Sequence, residues 1–370
     1  MKIHTLLLTA RDTGAALQIG AIARQAQHHP RLNTIIYAAA PADRVLSEMG
    51  LKVNSVNTPV VDTACDNGAQ ALLSAADAIL KQTRPDAVLT GLSGHGAGID
   101  EAIIARCRNP CYTFQDYWGD VNSLFEKIAD CYFTLDQIGA ELTRRRFQAD
   151  TCVSGSPKHA AFSRLDTLAL RSGMRAQLNI QDNHRLIGLF GQPIRPHDEY
   201  LDVISRFSNA VAMCDRPYTL LYRPHPADPP DTQEKVLDIL TDKGLVPIID
   251  TDRDISAVLC GCDFVCSVAS SCNLDNIFLN YFSPAPLGVS TYLFLNETMK
   301  RMHADQTGAT YPPPIDMDMA VKCTSPTDLV DLVSSTEIER GRYWRKIKAT
   351  LPPPNQAATT ILDRILRDLA

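Results

Sequence analysis

Three short stretches of the chain join residue types that handle phosphate to a glycine or proline that shapes a loop. Gly191-Gln192 follows an apolar run over 186–190. A glycine there lets the backbone approach a ligand and leaves N–H groups for an anion, although turn glycines also serve purely steric ends. Arg223-Pro224-His225-Pro226 follows the run 219–222. The two prolines fix the backbone, the guanidinium fork suits phosphate oxygens, and the imidazole can hydrogen-bond phosphate or ribose. Ser270-Ser271 follows the run 263–268. Hydroxyls and N–H groups at a helix start hold an anion, and simple N-capping by the same serines is compatible with that role.

A second set of residues suits proton transfer. Ser93-Gly94-His95-Gly96-Ala97-Gly98-Ile99-Asp100-Glu101 follows the buried-looking run 86–90 and opens a helix. His95 or Asp100 would take a proton from an attacking hydroxyl; Asp100 and Glu101 equally suit the first turn of a helix. Asp116, in Gln115-Asp116-Tyr117-Trp118, rivals His95 as the base. Tyr117 and Trp118 suit sugar stacking or, alternatively, a packed aromatic turn. Arg11 and Asp12 lie in the first strand–helix loop, where Asp12 also suits a helix cap. The reading therefore has His95, Asp116 and Asp100 as catalytic candidates. On the family resemblance given below, Gly191, Gln192, Arg223, His225, Ser270 and Ser271 would bind donor phosphate and nucleotide, and Arg11, Asp12, Tyr117 and Trp118 would lie on the acceptor side.

These residues need elements to position them. Apolar runs predict strands near 4–9, 34–38, 53, 86–90, 111–115 and 131–134, with helices over 14–26, 42–49, 67–82 and 99–107. The grammar restarts with strands at 186–190, 219–222, 246–249 and 263–268, and helices at 198–213, 232–241 and 255–260. Such alternation predicts an α/β fold of two Rossmann-like doubly wound domains facing across a cleft, with ligands at the carboxyl ends of the strands. The expected divisions are an acceptor-side domain at 1–155, a linker at 156–182, a nucleotide-donor domain at 183–340 and a helical segment at 341–370. That last segment carries the apolar stripe Ile361, Leu362, Ile365, Leu366 and Leu369 and is expected to pack back across the domains.

The layout resembles the GT-B glycosyltransferase superfamily. A His-Pro pair followed about 45 residues later by a Ser-Ser loop is similar to bacterial sialyl-, polysialyl- and glycerophosphotransferase-type enzymes. The resemblance implies that His225, Ser270 and Ser271 contact donor phosphates. The stretch Thr151-Cys-Val-Ser-Gly-Ser-Pro resembles the end of many GT-B N-terminal domains. Non-hydrolysing nucleotide-sugar 2-epimerases share the fold and a similar histidine. The Ser270 loop, however, lacks their Gly-Gly and paired-Glu pattern, and Arg11-Asp12 does not reproduce their Arg-Pro-Glu. The function implied is transfer of a sugar or related group from a nucleotide-activated donor to a hydroxyl acceptor in surface-polysaccharide or glycoconjugate biosynthesis. A 2-epimerase or nucleotide-sugar hydrolase is the enzyme alternative, and a non-catalytic GT-B-like binding subunit the other. The nucleotide sugar is a co-substrate; no separate cofactor is expected.

Bulk properties agree with this class. In 370 residues, 45% are hydrophobic and 21% charged, which excludes a disordered chain, a collagen-like repeat and a coiled coil. The formal charge of −6 argues against general nucleic-acid binding. Eleven cysteines, an odd number, read as reduced thiols in a cytoplasmic protein, with Cys260, Cys262, Cys266 and Cys272 as small core residues. No apolar run reaches the ~20 residues of an integral membrane segment. Asp316-Met-Asp318 matches a short metal-binding pattern, but it follows three prolines and is read as chance, so no metal is expected.

Overall fold

The computed structural model describes residues 2–94, 96–181, 183–194, 197–335 and 339–370. The chain forms two compact units, one of residues 1–161 and 352–370, the other of residues 162–351.

The first unit runs β1 (His4–Ala10), α1 (Thr13–Ala26), β2 (Leu32–Ala39), α2 (Ala42–Glu48), β3 (Asn54–Val56), α3 (Asn67–Thr83), β4 (Ala87–Gly91), α4 (Ile99–Arg106), β5 (Cys111–Phe114), β6 (Cys131–Thr134), α5 (Gln137–Phe147) and β7 (Asp150–Val153). Its seven strands order β3-β2-β1-β4-β5-β6-β7, and every pair is parallel. All five residues of β4 are buried, as a central strand covered on both faces requires. Gly91 at its end is needed because a Cβ there would run into Ala15 of α1.

A 3-10 helix (Pro157–Arg164) leads into the second unit. There follow α6 (Thr167–Gln177), β8 (Arg185–Phe190), α7 (His197–Ala212), β9 (Tyr218–Arg223), α8 (Pro230–Thr241), β10 (Ile248–Ile249), α9 (Ile255–Gly261), β11 (Phe264–Ser267), α10 (Ser271–Phe282), β12 (Val289–Leu293), α11 (Glu297–Thr307), α12 (Pro313–Asp316), β13 (Val321–Cys323), α13 (Pro326–Ser334) and α14 (Arg340–Thr350). Six parallel strands order β10-β9-β8-β11-β12-β13. Helix α6, within the stretch 156–182, packs on α9 and places Met174 among the buried residues of this unit. Cys260, Cys262 and Cys266 are buried core residues, and Cys272 is half-buried. Helix α15 (Pro354–Asp368) returns to the first unit, packs on α1 and buries Ile361, Leu362, Ile365 and Leu366.

In each sheet the strand order reverses once, between β1 and β4 and between β8 and β11. A doubly wound sheet opens its ligand crevice at the carboxyl side of that reversal. The loops concerned hold Arg11, Asp12, residues 92–94 and residues 96–98 in one unit, and Gly191, Gln192 and Ser270 in the other.

Candidate functional site

In the second unit, three strand ends converge on one loop cluster. Gly191 packs so tightly that a Cβ would lie 2.8 Å from the His225 backbone nitrogen and 3.0 Å from Asp228 Oδ2. Gln192 is buried, and its Oε1 accepts the Ala269 N–H at 2.8 Å, tying this loop to the serines. Ser270 caps α10, its hydroxyl accepting from Cys272 N–H at 3.3 Å, and Ser271 stands exposed in the first turn. The positive end of a twelve-residue helix is thus presented with a hydroxyl beside it.

His225 is half-buried, and its Nδ1 accepts the Ala227 N–H at 3.1 Å. That bond leaves the proton of the neutral ring on Nε2, which is then a donor. Burial lowers the His225 pKa, the nearby Asp228 carboxylate opposing it, so the ring is neutral at pH 7. Asp228 braces the loop, its Oδ2 accepting the His225 N–H at 3.1 Å. Arg223 is engaged differently from the sequence expectation. Its Nη1 contacts the fully buried Asp250 at 2.5 Å and donates to the Arg253 carbonyl at 2.9 Å. Arg253 pairs with the same carboxylate at 2.7 Å. Arg223 therefore anchors the loop, sharing the Asp250 carboxylate with Arg253.

In the first unit, Asp12 caps α1 through Ala15 N–H at 2.8 Å, and its second oxygen accepts Gly94 N–H at 3.1 Å. Arg11 is buried, donating to the carbonyls of Gly94 at 2.6 Å and Gly96 at 2.8 Å, with Glu101 3.4 Å from its Nε. Gly98 must be glycine, since a Cβ would strike the Arg11 side chain. This strand–helix loop is thus built around one guanidinium. Arg11 also lines a 320 Å³ cavity with Ser55, Asn57, Thr58 and Pro59.

Asp116 is a carboxylate with a raised pKa beside the first turn of α1. It is partly exposed, and its Oδ2 sits 2.7 Å from where a Gly14 Cβ would be, over the first turn of α1. Surrounding protein desolvates it and Asp12 repels its charge, against a smaller opposing pull from Lys158; together these push its pKa up to about 7.

Asp100 does not offer itself in the same way. It is 1% exposed, accepts the Thr9 hydroxyl and has Ser93 Oγ at 3.4 Å. Burial and Glu101 raise its pKa well above the usual carboxylate range, with the Thr9 hydrogen bond and Arg11 opposing them. Trp118 likewise turns inward. It is 1% exposed and donates from Nε1 to Asp136 at 2.7 Å, which makes it a packed turn residue and not a stacking platform. Tyr117 lies half-buried edge-on to Trp118. His95 lies outside the described residues.

Sequence reasoning missed the groups that distant segments bring in. Gln18 donates to Ser156 Oγ at 2.9 Å, His159 Nδ1 lies 2.6 Å from that oxygen, and Lys158 acts on Asp116. Asn122 braces the Arg11 loop through the Gly96 carbonyl at 2.7 Å and Glu101 at 2.9 Å. The Ser-Gly-Ser-Pro run at 154–157 was the only local hint of the first group.

No family model matches the chain, and no curated protein matches it. Solved structures do. UDP-GlcNAc 2-epimerase from Neisseria meningitidis bound to UDP-GlcNAc matches with TM-score 0.70 at 15% identity, covering 98% of this chain and 100% of that one. The S. aureus MnaA–UDP structure gives 0.72 at 13% identity over 99% and 97%. A glycosyltransferase from Rickettsia africae gives 0.65 at 12% identity over 100% and 99%. Likeness at these identities speaks for the fold. With seven and six parallel strands in its two α/β units, the chain has the GT-B-like fold common to these epimerases and glycosyltransferases.

Proposed function

We propose that this chain is a glycosyltransferase, moving a sugar or related group from a nucleotide-activated donor to a hydroxyl acceptor in surface-polysaccharide or glycoconjugate assembly. The observation that carries the reading is Asp116, a partly exposed carboxylate whose pKa stands at about 7 beside the Arg11 loop. Such a group is substantially ionised at neutral pH and basic enough to take a hydroxyl proton as the bond forms.

The acceptor oxygen bonds to the anomeric carbon, its proton passes to Asp116, and the electron pair of the breaking bond goes to the donor phosphate. Charge growing on that phosphate is met by the first turn of α10 at Ser270 and Ser271 and by His225 Nε2–H. Gly191 and Gln192 shape the loop, and Arg223 is a positioning residue through Asp250. Arg11 orders the acceptor-side loop, and Asp12 tunes Asp116.

A 2-epimerase is the second reading. It is favoured by the match to the Neisseria meningitidis UDP-GlcNAc 2-epimerase, and by two carboxyls of raised pKa in the same unit, Asp100 in the first turn of α4 and Asp116, since inversion needs a proton donor and an acceptor. The test is to incubate the protein with a panel of nucleotide sugars, with and without saccharide acceptors, and to assay released nucleotide. Transfer predicts acceptor-dependent release that Asp116→Asn lowers at least about a hundredfold. Equal turnover of donor in the absence of acceptor would overturn it.

A further inference from the structure

The second unit has a basic cavity at the edge of its sheet remote from the loops just described. It is lined by Arg185, at the start of β8, Arg216, just before β9, and Asp263, just before β11. In a parallel sheet these strand starts lie opposite the strand ends that hold Gly191, His225 and Ser270, a strand length of roughly 15–20 Å away. Arg171, Arg175 and Arg340 complete the wall of a cavity of about 730 Å³. Among the described residues, five guanidiniums line it and Asp263 is its one carboxylate.

Asp263 organises the cluster. Arg171 reaches it at 2.6 Å, Arg175 at 3.0 Å, and Arg340 Nη2 donates to the oxygen that Arg171 holds. Arg171 and Arg175 also donate to backbone carbonyls, including those of Cys260, Cys262 and His184. Carbonyls satisfy N–H groups and leave the charge standing. Arg340 Nε is buried without a hydrogen-bond partner among the described residues. Among the described residues, the Arg216 side chain makes a single hydrogen bond, from Nε to the Ser334 carbonyl at 2.8 Å, which engages neither Nη group. Burial and the flanking Arg171 outweigh Asp263 and push the Arg340 pKa down to about 10, as expected where cations outnumber anions.

We infer that this cavity is a second ligand site, taking a small molecule that bears phosphate or pyrophosphate, separate from the donor site. Its volume falls in the range that holds nucleotide-sized ligands, and planar guanidinium forks match phosphate oxygens.

The probe is inorganic pyrophosphate, titrated calorimetrically into the full chain and into Arg216→Gln, Arg340→Gln and Ser271→Ala variants. The site predicts binding that Arg216→Gln and Arg340→Gln each weaken about tenfold or more, and that Ser271→Ala leaves in place. Arg216→Gln keeps every Asp263 contact, so it remains informative if Arg340→Gln fails to fold. Pyrophosphate binding that is absent, is unchanged in both arginine variants, or disappears in Ser271→Ala would overturn the inference. In a separate arm, the chain is sedimented with anionic phospholipid vesicles. Arginine-dependent vesicle binding without pyrophosphate binding would move the site to a lipid headgroup and overturn the soluble-ligand assignment.

Discussion

Replacing Asp12 by Asn removes one charge beside Asp116 while keeping a side chain that caps α1 equally well. Asp116 Oδ2 and Asp12 Oδ1 lie 2.7 and 3.6 Å from the same point, the position of a Gly14 Cβ. The two carboxylates are therefore within about 6 Å, where unit charges repel by roughly 3 kcal/mol at an effective dielectric of 20 and by under 1 kcal/mol in water. Asp116 is partly exposed, between those limits, so Asp12→Asn should lower its pKa from about 7 by about 0.5–2 pH units. The assay is a carbon-13 NMR titration of the Asp116 carboxyl carbon, which needs no substrate. Once the substrate is known, the acid limb of kcat/KM should move by the same amount, because a base works only when ionised. Loss of one acceptor for Gly94 N–H costs about 1 kcal/mol of stability, too little to unfold the unit. A midpoint that stays put or rises in Asp12→Asn would mean that Asp12 does not raise the Asp116 pKa.

Gly14→Ala places a methyl 2.7 Å from Asp116 Oδ2 while improving helix propensity by up to about 1 kcal/mol, so activity should fall with stability kept or raised, measured by turnover and melting. Asp116→Asn should stabilise the protein above pH 7. A raised carboxylate pKa means that the native state binds the extra proton between the unfolded value of 3.8 and about 7, so its stabilising effect is full below 3.8 and lost as pH rises through 7. The gain at pH 8 is at most about 4 kcal/mol, reduced by exposure to solvent, and denaturant melts at pH 5 and pH 8 measure it. His225→Ala should weaken binding of nucleoside diphosphates about tenfold, equally at pH 7 and pH 8, because the ring is already neutral there. Trp118→Phe should cost about 1–3 kcal/mol by leaving Asp136 short of a donor, with acceptor KM unchanged.

The parts of the fold legible in the sequence are those buried on both faces. The runs in β1, β4, β8 and β11 are continuously apolar or small because parallel strands under two helical layers must be. Strand β7, with the sequence Asp-Thr-Cys-Val and no fully buried residue, carries no such pattern at its sheet edge. Strand β13, three residues long, lies at the other sheet's edge. Helix α6 hides for a different reason: Arg171 and Arg175, which face the Asp263 cluster, interrupt its apolar pattern. In the candidate site, the placing of His225 and Ser270 just after strand ends was legible because the apolar runs before them mark those strands. The inward turn of Trp118 and Asp100 depends on partners 18 and 91 residues away, and the Asp116 environment depends on Lys158. Those are tertiary facts that no local pattern encodes.

In the transferase reading, Asp116 draws a proton from an acceptor hydroxyl and not from a sugar carbon. It is tested most directly by NMR of the sugar after incubating protein and nucleotide sugar in deuterium oxide, with and without acceptor. Transfer predicts a new acceptor-linked anomeric signal, formed only with acceptor and lost in Asp116→Asn, with no deuterium at C2. Deuterium appearing at C2 of the nucleotide sugar without acceptor would contradict it and establish the epimerase reading instead.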